Sequence, residues 1–255
     1  MCGIGGVALV SNSDIDIPRV LGLMIAKQTH RGPDGKGLWW DESLKIGLCH
    51  TRLAILDLTE AGQQPMSSQD GRFMIAYNGE IYNWRELRET LELHGVRFYT
   101  KTDTEVLIEA YRWFKREVVH YLRGMFAFVI FDRHEKEVFA ARDRVGKKPF
   151  VYAETVHGFA FASEIPAVLA MPDCNRKFNH DALAGMLLHN VRHLVDPHTV
   201  YSGIKRLQAG HAMLVREGKV VDVWKYWKPQ ANMKDITSAR LREKLEEAVQ
   251  LRMLA

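Results

Sequence analysis

Two alternating patterns of apolar and polar residues predict a chain of many short strands and a few helices. Residues 3–10 are an unbroken run of glycine and aliphatic side chains and read as a buried strand. Residues 11–18 are polar and read as a loop, and 20–28 carry a short helical pattern. Arg31-Gly32-Pro33-Asp34-Gly35-Lys36-Gly37 is dense in turn residues and reads either as a surface turn or as a mobile flap over a site. The runs 44–50 and 53–58 predict two strands with Thr51-Arg52 between them. Apolar stretches flank Asn78-Gly79, a dipeptide that favours a tight hairpin.

Asn83 and Glu86 have capping-box spacing ahead of a helix that stops at Gly95, and Thr102 and Glu105 repeat the spacing ahead of a helix over 103–115. The middle is strongly β, with strands over 125–132, 137–142, 150–153 and 159–162. Short helices over 165–169 and 181–188 precede a hairpin, 212–216 with 220–224, around Glu217-Gly218-Lys219. After Pro229 a polar linker leads to an amphipathic helix over 238–254, with Leu241, Leu245, Ala248 and Val249 on one face that needs a partner.

Composition narrows the class. The 255 residues are 47% hydrophobic and 26% charged, an ordinary globular balance with enough chain for one large core or two small domains. A net charge of +4 is too small to point to nucleic acid or a membrane surface. No apolar run suits a membrane span, and the glycine-rich start lacks the basic region of a signal peptide. Cys2, Cys49 and Cys174 are an odd set without metal-type spacing, which fits a reducing cytoplasm. The histidines show no ligand spacing, so no metal is expected.

The candidate chemistry begins at Met1-Cys2-Gly3-Ile4-Gly5-Gly6. Once Met1 is removed, Cys2 carries a thiol and a free α-amine, and the amine can serve as general base to its own thiol. Gly3, Gly5 and Gly6 would let backbone approach a bound substrate. Asn78 and Gly79 form either a turn or an oxyanion hole, in which an amide and a backbone N–H meet developing negative charge. Arg52 is either a strand end or a carboxylate clamp. Asp103 is either favourable first-turn chemistry or a clamp for an ammonium group. Singly, each structural alternative is preferred. Together, Cys2, Arg52, Asn78, Gly79 and Asp103 suit a free α-amino acid with a side-chain amide, which is glutamine.

Seven motifs then carry a resemblance. They are Met1 to Gly6, Arg31-Gly32-Pro33-Asp34, His50-Thr51-Arg52-Leu53-Ala54-Ile55, and Tyr77-Asn78-Gly79-Glu80-Ile81-Tyr82-Asn83. Lys101-Thr102-Asp103-Thr104-Glu105, the run from Arg142 to Pro149, and Phe161-Ala162-Ser163-Glu164-Ile165 complete the set. In this order they resemble the N-terminal glutaminase domain of glutamine-hydrolysing asparagine synthetases, class II amidotransferases with an N-terminal nucleophile. The resemblance implies an α+β fold, a four-layer αββα sandwich of two antiparallel sheets. It implies Cys2 as nucleophile, Asn78 and Gly79 as oxyanion hole, and Arg52, Glu80 and Asp103 with backbone around Leu53, Ala54, Ile55 and Leu56 as the glutamine site. It divides the chain into a glutaminase domain over 1–230 and a linker and helix over 231–255.

Two departures stand out. Gln208-Ala209-Gly210 replaces the family's usual Pro-Pro-Gly, which is expected to alter a loop without loss of activity. The family's Ser-Gly-Gly-Leu-Asp-Ser pyrophosphate loop does not occur, so ATP and magnesium are expected only in a synthetase domain supplied in cis or in trans. No cofactor is expected in this chain, and a homodimer is left open. The expected reaction is hydrolysis of glutamine to glutamate and ammonia through a Cys2 thioester. The alternatives are a non-catalytic glutamine-binding scaffold, or a glutaminase serving another acceptor. His50 is not expected to act as base, Trp39-Trp40 reads as packing, and Cys49 and Cys174 read as inert buried thiols.

Overall fold

A computed structural model describes residues 1–54, 60–188, 194–230 and 237–253. In chain order the strands are β1 (Gly3–Leu9), β2 (Gly35–Asp41), β3 (Ile46–Arg52), β4 (Met66–Ser67), β5 (Phe73–Ile81), β6 (Gly124–Asp132), β7 (Glu137–Arg142), β8 (Val151–Thr155), β9 (Gly158–Ala162), β10 (Lys205–Arg206), β11 (His211–Arg216) and β12 (Lys219–Lys225). The helices are α1 (Ile17–Gln28), α2 (Trp84–Leu93), α3 (Asp103–Phe114), α4 (Val118–Tyr121), α5 (Ile165–Val168), α6 (His180–Leu188) and α7 (Ser238–Met253). One sheet has the order β10-β8-β9-β1-β3-β2 and the other β12-β11-β7-β6-β5-β4. All their strand pairs are antiparallel.

Strand alternation sorts the apolar residues into three cores. Ile4 and Ala8 of β1, Ile46 and Leu48 of β3, and Met74 and Ala76 of β5 meet between the sheets. Val7 and Leu9 face the other way, onto α1 and α5. Phe73, Ile75 and Tyr77 pack outward against α2, α3 and α4. The result is the expected αββα sandwich.

Several elements depart from the sequence reading, each for a local reason. Helix α1 starts at Ile17, inside the predicted loop, because Asp16 caps it by accepting from Arg19 N at 3.0 Å. Pro18 sits in the first turn, where its missing N–H is no loss. β3 continues through Thr51 and Arg52, and Leu53 and Ala54 leave the sheet. The rest of the second predicted strand lies outside the described residues.

Asn78-Gly79 is no hairpin. β5 runs unbroken past it and pairs with β6 from Phe73 opposite Asp132 to Ile81 opposite Gly124. Gly79 serves close approach instead, since a Cβ there would stand 2.4 Å from Met125 O. Asn83 heads α2 without capping it, because its side chain bonds Tyr121 O and Arg123 N. Thr102 does cap α3, accepting from Glu105 N at 3.2 Å. Glu105 turns its carboxylate to the N–H groups of Tyr99 and Thr100 and leaves the box half-formed.

β2 is an edge strand. Its Trp39 packs near Phe131 with ring centroids 6.1 Å apart, and Trp40 is exposed. Helix α7 joins the body through an Arg123–Glu247 ion pair and through Arg252 over the Tyr82 ring, while Leu241, Leu245 and Val249 remain exposed.

Candidate active site

Period-2 alternation carries the site as well as the core. His50 and Arg52 continue the inward row of Ile46 and Leu48 on β3, and Asn78 and Glu80 continue that of Met74 and Ala76 on β5. Cys2 precedes β1 on the same row as Ile4. At this end the inter-sheet row changes from apolar to polar, and a cavity opens there. Cys2, Arg52, Leu53, Ala54, Asn78, Gly79, Glu80 and Asp103 all line it. Ile55 and Leu56 lie outside the described residues.

The start of the chain is held firmly. Arg31 Nε donates to Cys2 O at 3.1 Å, and its Nη1 donates to Glu164 Oε1 at 2.9 Å. Burial would raise the Glu164 carboxyl, but the bonds from Arg31 and His30 outweigh it and keep it below the usual range. Ser163 Oγ accepts from Ile4 N, and Gln28 Oε1 accepts from Ser163 N. The Cys2 sulfur rests against Leu53, whose N lies 3.4 Å and whose O lies 3.6 Å from Sγ.

The 31–37 segment, read as a turn or a flap, is tied down by Arg31 and by Asp34, whose Oδ2 accepts from Ala54 N at 3.0 Å, and continues into β2 at Gly35. Gly3, Gly5 and Gly6 do not line the cavity. They are small so that β1 can pack closely. A Cβ on Gly3 would lie 2.6 Å from Thr51 Oγ1, and one on Gly6 would lie 2.5 Å from Gly47 O.

Asn78 is buried, and among the described residues neither its Nδ2 nor its Oδ1 has a hydrogen-bond partner. Buried amides are nearly always bonded, so an idle one at a cavity wall is a group held ready for a ligand. Tyr77 N donates to Gln64 Oε1 at 2.6 Å, and Ile81 N donates to Asp103 Oδ2 at 3.0 Å. Both N–H groups point off the β5 edge that faces away from β6. Alternation puts Gly79 N–H on that edge between them.

Asp103 Oδ2 also accepts from Tyr77 OH at 2.8 Å. Burial pushes the Asp103 carboxyl up to about 6, with the Glu80 charge adding to the rise and these two donors opposing it. His50 is buried and bonds Tyr77 O across the sheets at 3.2 Å through Nε2, which must carry the proton because a carbonyl accepts. Burial is the main reason its pKa falls to about 4, so the ring is neutral near pH 7. The thiols elsewhere are buried, and burial pushes Cys49 to about 12 and raises Cys174.

A family model described as a glutamine amidotransferase domain matches residues 1–227. The chain belongs to that family. A Bacillus subtilis (strain 168) protein named asparagine synthetase [glutamine-hydrolyzing] 3 is 33% identical over 256 residues, covering 98% of this chain and 41% of the relative. A Gibberella zeae protein named amidase chry2 is 32% identical, covering 89% of this chain and 34% of that one. The chain thus spans about two-fifths or less of these relatives. In fold it is similar to the glutamine phosphoribosylpyrophosphate amidotransferase of B. subtilis, with TM-score 0.60 and 17% identity over 90% of this chain and 50% of that one.

The cavity also gathers residues that sequence reasoning did not assign. Met1, His50, Gly62, Gln64, Tyr77, Thr102, Thr104 and Lys148 complete the wall. Gln64 holds β5 and reaches Thr104 Oγ1 at 3.4 Å, and nothing in its own neighbourhood of sequence announces that. Lys148 falls within the Arg142–Pro149 motif, which is the available signal.

Proposed function

We propose that this amidotransferase domain hydrolyses the side-chain amide of glutamine, with Cys2 as nucleophile after removal of Met1. The α-amine of Cys2 takes the thiol proton, and sulfur bonds to the amide carbon. The oxygen of the tetrahedral intermediate lies between Asn78 Nδ2 and Gly79 N–H, where one such donor contributes roughly 3–4 kcal/mol. The carbon–nitrogen bond breaks, and the amine returns its proton to the departing ammonia. Water then attacks the γ-glutamyl thioester, and glutamate leaves as the thiol is restored. Arg52 takes the α-carboxylate, Asp103 and Glu80 take the α-ammonium, and the backbone of Leu53 to Leu56 completes the grip.

The observation that carries this reading is the idle, buried Asn78 amide in the cavity that holds the Cys2 sulfur. The chemistry uses no cofactor from this chain. We assign ATP and magnesium to a synthetase domain, in cis or in trans, that receives the ammonia and amidates aspartate. A cytoplasmic setting agrees with three unpaired thiols, and no described helix is long and apolar enough to cross a membrane. A different acceptor is the second reading, favoured by the likeness to a protein named as an amidase.

The test is release of ammonia and glutamate in equal amounts from glutamine by Met1-free protein, abolished by Cys2→Ala. Glutamine binding without turnover would instead support a non-catalytic scaffold. Transfer of label from [15N-amide]glutamine to aspartate, in the presence of the candidate synthetase partner, separates the two acceptor readings.

A further inference from the structure

We propose that Lys148 is a positioning residue for the nucleophile, its ammonium supplying a fixed positive charge that favours the thiolate of Cys2. The inference rests on the glutaminase reading only in taking that sulfur as the attacking atom.

Lys148 is 6% exposed and lines the same cavity wall as Cys2. Among the described residues it forms no ion pair, whereas most of the buried cationic side chains nearby do: Arg31 bonds Glu164 and Arg142 bonds Asp196. A buried ammonium without a paired carboxylate is costly, and here the cost falls in the wall of the cavity that holds the Cys2 sulfur. Burial lowers its pKa from the ordinary lysine value, while Glu80 and Cys2 are the first groups that oppose the fall.

The position is built with care. Lys148 N donates to Asp143 Oδ2 at 2.9 Å, and Lys148 O accepts from Arg142 Nε at 2.8 Å. Arg142 further bonds Gly146 O and Leu207 O, and Asp143 Oδ1 gathers the N–H groups of Val145 and Lys147. Gly210 N donates to Asp143 O, so the unusual Gln208-Ala209-Gly210 segment braces the same loop. From all of residues 143–149, Lys148 alone reaches the cavity.

The other charges near the sulfur already have places in the proposed reaction. Arg31 holds the Cys2 carbonyl, Arg52 faces the substrate carboxylate, Glu80 and Asp103 face its ammonium, His50 is neutral, and Asp143 lies behind Lys148 in its own loop. Among the described residues the sulfur otherwise meets the Leu53 backbone, its N–H at 3.4 Å and its carbonyl at 3.6 Å. Once protonated, the α-amine of Cys2 sets one positive charge beside the thiolate, and Lys148 is a second cation on the same cavity wall that the proposed reaction does not otherwise engage.

The experiment is alkylation of Cys2 by iodoacetamide across pH in Met1-free protein, followed at that residue by mass spectrometry. Lys148→Met is expected to alkylate on the order of tenfold more slowly at pH 7, with the profile moved about one pH unit to the alkaline side. Lys148→Arg restores the profile. Lys148→Gln, a polar neutral replacement, is expected to move the profile the same way and keeps the proposal open to refutation should Lys148→Met not fold. An unmoved profile in folded Lys148→Met or Lys148→Gln, or a glutamine KM that rises while alkylation does not change, overturns it. Alkylation requires no glutamine, so a protein that alkylates as described yet releases no ammonia contradicts the glutaminase reading alone.

Discussion

The Tyr77 hydroxyl donates to Asp103 Oδ2 at 2.8 Å, linking the second sheet to the first turn of α3 beneath the cavity. That carboxyl is buried, and burial raises it from 3.8 to about 6 despite the bonds from Ile81 N and Tyr77. The folded protein therefore binds a proton there more tightly than the unfolded chain does. Its contribution to stability is greatest below pH 4 and is lost as pH rises to 6. Asp103→Asn should match the parent near pH 3.5 and exceed it by about 2–3 kcal/mol above pH 7. The same variant should lose glutamine affinity, because the amide cannot pair with an ammonium group. Urea denaturation at the two pH values, with glutamine KM alongside, checks both halves.

Activity should lose an essential carboxylate on acidification. We expect kcat/KM for glutamine to fall below about pH 6 as Asp103 takes up a proton. His50 does not cause that inflection, since burial holds its pKa near 4. NMR of the His50 ring should show it neutral from pH 5 to 8. His50→Gln, whose amide N–H can still donate to Tyr77 O, should keep the inflection. An inflection that disappears in His50→Gln contradicts the assignment.

Asn78 separates function from stability. Neither amide atom bonds any of the described residues, so Asn78→Ala removes no hydrogen bond seen in the fold. The fold should melt within a few degrees of the parent, while kcat drops roughly 10²–10³-fold. Thermal unfolding and steady-state ammonia release measure the two. A variant that unfolds would show instead that the amide serves the structure.

Gly6→Ala tests the revised role of the glycine-rich start. A Cβ would stand 2.5 Å from Gly47 O and 2.7 Å from the Phe161 ring, and overpacking of this kind costs about 1–3 kcal/mol. We expect a lower denaturation midpoint with little change in glutamine KM. A variant of parental stability and raised KM would return Gly6 to the substrate-facing role first expected of it.

The sandwich follows the family resemblance, and most of the residues expected at the site line one cavity; where the sequence reading fails, the causes are physical. The hairpins at Arg133–Lys136 and Glu217-Gly218 read correctly because local turn chemistry sets them. Glu217 and Gly218 both take positive φ, at 48° and 73°. Asn78-Gly79 misled for the same reason. Its composition is that of a turn, yet β6 pairs with β5 straight across it, and the glycine answers to Met125 O rather than to φ. Taking β5 as one strand would have shown Met74, Ala76, Asn78 and Glu80 as a single inward row. Lys148 and Gln64 stayed unassigned because their place in the cavity depends on contacts between distant segments. Among these are Arg142 with Leu207 and Tyr77 with Gln64.

In the proposed mechanism, turnover depends on a free amino terminus at Cys2. The decisive measurement is the rate of ammonia release from saturating glutamine by two preparations, one beginning at Cys2 and one retaining Met1. The first should turn over, and the second should fall to the level of Cys2→Ala, because a peptide bond in place of the amine leaves the thiol without its base. Equal rates from both preparations would contradict the claim that one residue supplies nucleophile and base together.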